Sequence, residues 1–418
     1  DVEVASKGAV RADWRLRARP GTNITLLGKA LTGEESDAME ISLPVRPYGV
    51  KLADARTGSM AEPSGEARVQ LGFPEDTTPG SRSLEITVTP SLAGAMFGAL
   101  DYLTSFPYGC VEQTMSSFLP NVIVTAATRE LGLKPADRPG LDKKIRAGLD
   151  RLYDFQHEDG GWGWWKTDDS DPFMTAYVVA GLSQARAAGV KVNQQAIVRG
   201  AEWLRKNRSS GDLRAYSAYA LALADDKSAL EDAYAARSDT TSYGLAALGL
   251  ALRQAGDARA AEVARELIGR VVEKGHEAWW PVERDTLMRF HGDTTPEANA
   301  FAVKLLAAVQ PDNPVLPKAI AWLINHRREG YNWASTKQTA MVVYGLTDYL
   351  KASGELKPDY SVAVRVNGRE VLARRFTAAD ALSPAPPSIR IPEADLPAGA
   401  ASISVSKAGA GRLYWSAR

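Results

Sequence analysis

One stretch decides the interpretation of the chain: Pro107-Tyr108-Gly109-Cys110-Val111-Glu112-Gln113-Thr114. It holds the only cysteine among 418 residues, and it opens a run with no helix breaker before Pro120. Gly109 gives the backbone the freedom for a sharp entry into this helix. Residues three apart at a helix start lie on one side, so the Cys110 thiol and the Gln113 carboxamide can meet. A thiol held there can displace ammonia and close an internal thioester.

The pattern Gly-Cys-x-Glu-Gln, preceded by Pro-Tyr and followed by Pro120-Asn121, resembles the thioester signature of the α2-macroglobulin and complement family. The resemblance implies a thioester between Cys110 and Gln113, with Gly109 and Glu112 as supporting residues of the motif. As an acid in the first turn, Glu112 also suits the helix dipole. Taken alone, a single cysteine is more often inert packing, or a nucleophile that needs a histidine base.

A thioester must be kept dry, because water would hydrolyse it. The local apolar or aromatic candidates for a shield are Phe106, Tyr108 and Met115. Ordinary core packing explains Phe106 and Met115 at least as well.

Composition limits the classes of function. The chain is 45% hydrophobic and 24% charged, as in a soluble globular protein of two or three domains. Lys plus Arg and Asp plus Glu both number 50, so no net charge favours nucleic acid. One cysteine excludes an internal disulfide. The histidines lack metal-binding spacing, so neither a metal nor another cofactor is expected; they are His157, His276, His291 and His326.

The chain changes from a β pattern to a helical pattern and back. Strand patterns precede the helices at Ala12–Ala18, Ile24–Gly28, Met39–Leu43, Val69–Phe73 and Leu84–Thr89. Others follow them at Tyr360–Val366, Glu370–Phe376, Ser388–Ile391, Ala401–Ser406 and Arg412–Ser416. Asn367-Gly368 predicts a hairpin turn between the first two of these. Strands on both sides of a helical block suggest that a helical domain is inserted in a β-domain.

The helical block has twelve segments with apolar residues three and four apart. They are Ala95–Ser105, Glu112–Leu131, Leu141–Gln156, Met174–Ala187, Gln194–Asn207, Leu213–Ala224, Ser228–Arg237, Ser242–Gln254, Ala258–Glu273, Glu297–Val309, Leu316–Arg327 and Thr336–Lys351. Alternate segments are rich in alanine and glycine, which lets neighbouring helices approach closely. Twelve helices in alternating inner and outer layers predict an α/α toroid of six helical hairpins.

A loose internal repeat supports the toroid. A tryptophan-containing loop precedes an alanine-containing helix three times, at Trp162, at Trp279-Trp280 and at Trp333. The first of these loops also resembles loops of terpenoid-cyclase and prenyltransferase toroids. We expect the tryptophan-rich loop Gly160–Trp165 to pack the end of the toroid, with ligand binding as the alternative.

The family resemblance implies a CUB-like β-sandwich split by a thioester domain. Residues 1–38 are predicted to be the end of a macroglobulin-type β-domain or the first β-strands. Residues 39–90 are predicted to form the first part of the CUB-like domain, and residues 353–418 its second part. Residues 91–352 between them are predicted to form the thioester domain. The N-terminus, Asp1-Val2-Glu3-Val4, has neither a methionine nor a basic segment followed by an apolar one. The sequence is therefore expected to be part of a longer protein.

The same resemblance predicts the nucleophile. Family members that prefer hydroxyl targets use a histidine shortly before the helix that here begins near Thr175. This chain has no histidine in the corresponding segment, Asp168–Met174. We therefore expect direct attack by lysine amines of a trapped protease, although the neighbouring His157 keeps hydroxyl transfer open.

Two other classes remain alternatives. A toroid enzyme of the glycosidase or terpenoid-cyclase type would need catalytic acids, and the candidates are Glu158, Asp159, Asp168, Asp169 and Asp171. Acid-rich loops are usually solvated, and the Asp-x-Asp-Asp order of a protonating cyclase is missing. The other class is a non-covalent interaction module with a plain buried cysteine.

The resemblance implies a broad-spectrum protease trap, and the alanine- and arginine-rich sequence without disulfides fits a bacterial source. The resemblance implies a periplasmic parent protein, often anchored to the inner membrane, whose bait region lies outside these residues. The expected partners are target proteases and other domains of the parent chain. A trap that reacts once is not an enzyme with turnover.

Overall fold

The computed structural model describes residues 2–17, 19, 21–45, 52–74, 76–91, 103, 109–130, 141–275, 277–288, 292–327, 332–353, 355–381, 387–397 and 399–418. The helix predicted over residues 95–105 lies outside these ranges except for Leu103, which is helical and buried. Phe106, Tyr108, His276 and His291 also lie outside them.

The strands form one β-sandwich and two separate hairpins. Their bounds are β1 Asn23–Leu31, β2 Ser36–Pro44, β3 Arg56–Met60, β4 Ser64–Gly72, β5 Ser83–Thr89, β6 Val272–Lys274, β7 Glu277–Trp279, β8 Asp359–Val366, β9 Arg369–Phe376, β10 Ser388–Pro392, β11 Ala400–Ala410 and β12 Leu413–Ala417. The two sandwich sheets have the antiparallel orders β10-β5-β12-β3 and β4-β11-β8-β9. Each sheet combines strands from before and after the helices, so the helical domain is inserted in the sandwich.

Alternation of apolar and polar side chains builds the sandwich core. In β5, Leu84, Ile86 and Val88 are buried while the residues between them are partly exposed. Strands β8 and β11 alternate in the same way, and the buried residues of both sheets meet in one cluster. The predicted turn at Asn367-Gly368 joins β8 to β9 with φ angles of 50° and 83°, as a type I′ hairpin requires.

The N-terminal region differs from its prediction. Residues 12–17 form no strand, because no neighbouring strand pairs with them, and Trp14 is 78% exposed. Strands β1 and β2 pair only with each other, so the boundary predicted between residues 38 and 39 falls inside β2. The sandwich itself begins with β3, which the sequence analysis did not recognise.

The described residues contain eleven α-helices. Their bounds are α1 Val111–Glu130, α2 Leu141–Asp154, α3 Pro172–Ala187, α4 Gln194–Lys206, α5 Gly211–Leu223, α6 Leu230–Ala235, α7 Ser242–Gln254, α8 Arg259–Ile268, α9 Thr295–Val309, α10 Val315–Asn325 and α11 Thr336–Ser353. The segment predicted as helix over Ala258–Glu273 ends at Ile268, and its last residues enter the β6–β7 hairpin instead. The helix predicted over Ser228–Arg237 is shorter, because its end forms a 3₁₀ turn over Arg237–Asp239.

The odd-numbered helices form a closed ring, in which each contacts the next and α11 contacts α1. The even-numbered helices α2, α4, α6, α8 and α10 pack outside this ring. The close approach predicted from small residues occurs at Gly345 of α11. A Cβ atom there would lie 2.7 Å from the carbonyl carbon of Ala300 in α9. The predicted α/α toroid inserted in a β-sandwich is thus confirmed for the described residues, and the predicted segment Ala95–Ser105 lies outside them except for Leu103.

Aromatic rings fill the axis of the toroid. Phe301 of α9 lies at the centre, with its ring centroid 5.1 Å from that of Tyr243 and 6.0 Å from that of Tyr344. The ring centroids of Tyr216 and Tyr219 in α5 lie 6.1 and 6.2 Å from that of Phe301. All five are buried. The inner helices therefore enclose packed aromatic rings along this part of the axis.

The tryptophan repeat has one geometry at its three positions. The indole nitrogens of Trp162, Trp280 and Trp333 donate to carbonyls near the ends of the preceding outer helices, those of Leu152, Leu267 and Leu323. The last turn of a helix leaves its carbonyls without the usual helical partners, and each indole donates to one of them. The Leu267 carbonyl also accepts the N–H of Arg270. The threonine hydroxyl of the following inner helix accepts a loop N–H in each case, at Thr175, Thr295 and Thr339. In the loop Gly160–Trp165, the predicted packing role is confirmed for Trp162, which is fully buried, while Trp165 is 54% exposed.

None of the helices in the described ranges has the length and apolar character needed to cross a bilayer.

Candidate functional site

Cys110 and Gln113 lie at the start of α1, the first inner helix. Cys110 precedes the helix, its side chain is 7% exposed, and its carbonyl accepts the N–H of Thr114 at 3.0 Å. The side chain of Gln113 folds back over Gly109: a Cβ atom at Gly109 would lie 2.8 Å from Gln113 Cδ and would collide with Oε1. Glycine is therefore required there, and the carboxamide is turned toward the start of the helix, where the thiol lies.

The pKa of the Cys110 thiol lies above its ordinary value. Burial raises its pKa, and the nearby carboxylate of Glu112 raises it further. Hydrogen bonding from the backbone N–H groups of Gln113 and Glu112 opposes this effect without reversing it. A cysteine of this kind is a poor free nucleophile, which disfavours a thiolate enzyme.

Two contacts from other helical hairpins fix the backbone around Cys110. The N–H of Val111 donates to the carbonyl of Trp164 at 2.9 Å, so the tryptophan loop anchors the first residue of α1. Arg151 of α2 donates from Nη2 to the carbonyl of Gly109 at 2.6 Å, and its guanidinium lies 4.7 Å from the centroid of the Phe155 ring.

Glu112 connects the first and last inner helices. Its carboxylate accepts the Ser116 hydroxyl at 2.6 Å and the Thr336 hydroxyl of α11 at 3.0 and 3.2 Å. Ser116 in turn lies 3.2 Å from the hydroxyl of Tyr177 in α3. Burial raises the pKa of Glu112, against the effect of its two hydroxyl donors and of the Lys337 charge. Glu112 therefore lies where the ring of helices closes.

A buried ion cluster follows Thr336 directly. Lys337 Nζ lies 3.0 Å from Asp285 and 3.2 Å from Glu297, and all three side chains are almost fully buried. Burial alone would lower the pKa of Lys337, but the two carboxylates raise it above its usual value. Burial raises the pKa of Glu297. The cluster ties α11 to α9 and to the loop before α9.

Of the three predicted shielding residues, only Met115 is described. It is fully buried, and its sulfur would lie 3.4 Å from a Cβ atom at Gly181 in α3. Met115 thus fills the contact between two inner helices, which is the core-packing role considered for it from sequence.

His157 is held inside the tryptophan loop. Its Nδ1 lies 2.9 Å from the Ser170 hydroxyl, and its Nε2 lies 3.0 Å from the carbonyl of Trp165 and 3.6 Å from Asp168. Both ring nitrogens therefore have partners within the loop. His326 stacks on Trp322 on the outer helix α10.

Three of the five candidate acids order the same loop or the helix after it. Asp168 accepts the N–H groups of Trp164 and Trp165 at 2.7 and 3.0 Å. Asp159 accepts from Gly161, Ser170 and Trp203, and Asp171 caps α3. Glu158 and Asp169 are exposed. Across the described ranges, no group of three or more His, Cys, Asp or Glu side chains is placed to hold a metal ion.

No sequence pattern marked the side chains that hold the motif in place. Thr336 lies 224 residues beyond Glu112, and the repeat marked it only as part of a helix start. No motif or spacing in the sequence pointed to Arg151. Only the closed ring brings both residues to the start of α1.

Comparison with known proteins agrees with this fold and motif. The A-macroglobulin TED domain family matches residues 86–220. The α2-macroglobulin of Thermotoga maritima is 28% identical over 337 residues, covering 80% of this chain and 19% of the relative. That of Escherichia coli K12 is 29% identical over 363 residues, covering 78% of this chain and 21% of the relative. The chain thus spans about a fifth of the length of these relatives.

Solved structures share the fold. Native Escherichia coli α2-macroglobulin, from domain MG7 to the C-terminus, superposes with a TM-score of 0.56 at 21% identity, covering 95% of this chain and 62% of that one. Salmonella α2-macroglobulin reacted with methylamine gives a TM-score of 0.56 at 20% identity, covering 93% of this chain and 25% of that one. Together the family match and the curated relatives support an α2-macroglobulin-like fragment, and the solved structures share its fold.

Proposed function

We propose that Cys110 Sγ and Gln113 Cδ form an internal thioester, and that the chain carries the covalent group of a protease trap. The observation that carries this proposal is the position of the Gln113 side chain, folded over Gly109 in the turn that buries the Cys110 thiol. Closing the bond joins the sulfur to the carboxamide carbon and releases ammonia. The acyl group then stays available until a nucleophile reaches it.

Lysine amines of an attacking protease are the proposed nucleophiles. The amine attacks Gln113 Cδ, the C–S bond breaks, and the protease remains attached through an amide while the thiol is released. No histidine lies in the segment Asp168–Met174, and the ring nitrogens of His157 are engaged within their loop. Both observations support direct attack by amines over histidine-assisted transfer to hydroxyls. The capture occurs once per molecule, so the protein would act as an endopeptidase inhibitor without turnover.

The parent protein is proposed to carry the bait region and the other domains that control exposure of the bond. Within it, we assign the sandwich to a CUB-like domain and hairpin β1–β2 to the end of a preceding β-domain. A periplasmic location with an inner-membrane anchor elsewhere in the parent chain fits the likeness to bacterial relatives. Fractionation of cells that express the tagged parent protein tests the location.

The toroid-enzyme alternative is disfavoured by two observations. Aromatic side chains around Phe301 fill the axis where such an enzyme would need a substrate cavity. Three of the candidate acids are occupied in ordering a loop or capping a helix. Turnover of a glycoside or prenyl substrate that survives Cys110→Ala would restore this alternative.

Intact mass tests the thioester directly. The protein should be one ammonia lighter than its sequence, and methylamine should add to it while releasing a thiol that reacts with iodoacetamide. Cys110→Ala should have its full sequence mass and should not react. A full-sequence mass with a thiol that titrates before any amine is added would contradict an intact bond. Prior hydrolysis leaves an acid at position 113, which the mass distinguishes.

Capture is tested on the parent protein. A protease should become linked to it in a band that survives denaturation and reduction, and Cys110→Ala should abolish that band. Inhibition that persists without covalent linkage would support the non-covalent module instead.

A further inference from the structure

Glu112 is a buried acid two residues after Cys110, whose sulfur must leave when the thioester is cleaved, and both residues are only 7% exposed. The carboxylate of Glu112 is fixed by Ser116 from its own helix and by Thr336 from the last inner helix. We propose that Glu112, held in place by Thr336, slows cleavage of the thioester by opposing negative charge on the departing sulfur. This inference rests on the proposed thioester and assigns Glu112 a specific role.

The charge matters in one step of the reaction. When an amine attacks Gln113 Cδ, the C–S electron pair moves to Cys110 Sγ, and the proton lost by the amine ends on that sulfur. Before it arrives, the sulfur carries developing negative charge in a site with little water. A carboxylate nearby raises the energy of this state, because like charges repel more strongly where the dielectric constant is low. The N–H groups of Glu112 and Gln113 act in the opposite direction.

Several charged or titratable groups face this site from the helices around it. Arg151 of α2 binds the carbonyl of Gly109, the hydroxyl of Tyr177 of α3 contacts Ser116, and Lys337 of α11 adjoins Thr336. The ammonium of Lys337 is engaged with Asp285 and Glu297, so much of its charge is balanced by carboxylates other than Glu112. Glu112 is therefore the anionic group beside Cys110 in the described part of the site.

The position of the charge depends on the closed ring. The Thr336 hydroxyl lies between both oxygens of the carboxylate, at 3.0 and 3.2 Å. Without this donor the carboxylate would bind a proton more readily or rotate away, and its effect on the sulfur would weaken. Separation of α11 from α1 would therefore release the restraint and speed attack on the bond.

The experiment compares methylamine reaction rates in variants that first show the mass of an intact thioester. We expect Glu112→Gln to react about three- to tenfold faster than the wild type, because the departing sulfur no longer has a buried negative charge near it. Glu112→Asp, which keeps the charge, should stay close to the wild-type rate. Thr336→Val should be intermediate. Thr347→Val is the matched control, because that buried hydroxyl of α11 bonds only within its helix, to the Val343 carbonyl.

A second measurement distinguishes loss of the Glu112 charge from loosening of the structure in the variant. After methylamine cleavage, the pH profile of Cys110 alkylation by iodoacetamide should move to lower pH in Glu112→Gln and stay in place in Thr347→Val. Equal rates in wild type and Glu112→Gln would overturn the inference, as would a folded Glu112→Gln that forms no thioester. Absence of the thioester from the wild type would instead contradict the proposed function, and the alkylation profile would still report the effect of Glu112 on the thiol.

Discussion

The backbone N–H of Val111 donates to the carbonyl of Trp164 at 2.9 Å, which attaches the residue after Cys110 to the first tryptophan loop. This bond crosses from α1 to the loop between α2 and α3, and it satisfies an N–H group that the first turn of a helix cannot satisfy itself. The loop depends on Asp168, whose carboxylate accepts the N–H groups of Trp164 and Trp165. The acid-rich loop thus supports the motif.

Replacing Asp168 should therefore weaken the protection of the thioester. We expect Asp168→Ala to increase spontaneous hydrolysis severalfold, because the loop that fixes Val111 loses two hydrogen bonds. The measurement is the decay of the ammonia-deficient mass with time at neutral pH. Asp169→Ala is the control. The carboxylate of Asp169 is exposed, and the N–H groups of Trp164 and Trp165 donate to Asp168 instead. Equal decay in both variants would show that the loop does not protect the bond.

The tryptophan repeat makes a prediction about stability. Trp280→Phe keeps a buried ring but removes the indole N–H that binds the Leu267 carbonyl at 2.7 Å. The Leu267 carbonyl keeps the N–H of Arg270 at 3.0 Å, so we expect urea unfolding to show a loss of about 0.5–1.5 kcal/mol, the usual contribution of one hydrogen bond. Trp165→Phe should change the free energy of unfolding very little, because that ring is 54% exposed. Similar losses in both variants would contradict a specific role for the indole bond.

Close packing of the inner ring predicts the effect of a single methyl group. A Cβ atom at Gly345 would press on the backbone of Ala300, so α9 and α11 must separate to admit it. Overpacking of this kind costs about 1–3 kcal/mol, and we expect that loss for Gly345→Ala in urea unfolding. Gly33→Ala is the control, because a Cβ atom there meets no atom within 4 Å. A neutral Gly345→Ala would mean that the ring is looser than its backbone indicates.

The sequence predicted the periodic parts of this fold and the residues of one short motif. Alternation identified strands such as β5 and β8, and the three- and four-residue spacing identified the helices, because those patterns follow directly from which face is buried. It could not predict the partner of Glu112. Thr336 reaches the carboxylate only because six inner helices close into a ring, and no local pattern encodes that closure.

The errors have physical reasons as well. The apolar residues of 12–17 suggested a strand, but a strand needs a neighbour for its backbone hydrogen bonds and none pairs with this segment. Residues after Ile268 continued a helical pattern, yet they turn into β6, whose Val272 pairs with Trp279. Pairing between segments decided both cases, and pairing is not visible in a single segment.

The raised pKa of Glu112 predicts a specific dependence of stability on pH. Its folded pKa lies above the ordinary value of 4.5, so below that value both states hold the proton and the group has no effect. As pH rises through the window between the two values, the unfolded chain loses the proton first, and the free energy of unfolding falls. Glu112→Gln should remove this part of the slope in urea unfolding followed across the window. Glu158→Gln, at an exposed position, is the control and should keep the wild-type dependence of unfolding free energy on pH. The same dependence in Glu112→Gln would contradict the prediction.

The choice between amine and hydroxyl targets rests on His157, the one described histidine near the motif loop. Its ring nitrogens contact the Ser170 hydroxyl and the Trp165 carbonyl, so we assign it to the loop and not to acyl transfer. In a mixture of methylamine and glycerol, the wild type should yield the methylamide as the main product. His157→Gln should give the same product ratio, even if loosening of the loop changes the overall rate. Ser170→Ala is the control, because it removes a partner of the ring and keeps the imidazole. A large loss of amine conjugation in His157→Gln, with Ser170→Ala unaffected, would make His157 a catalyst of the transfer.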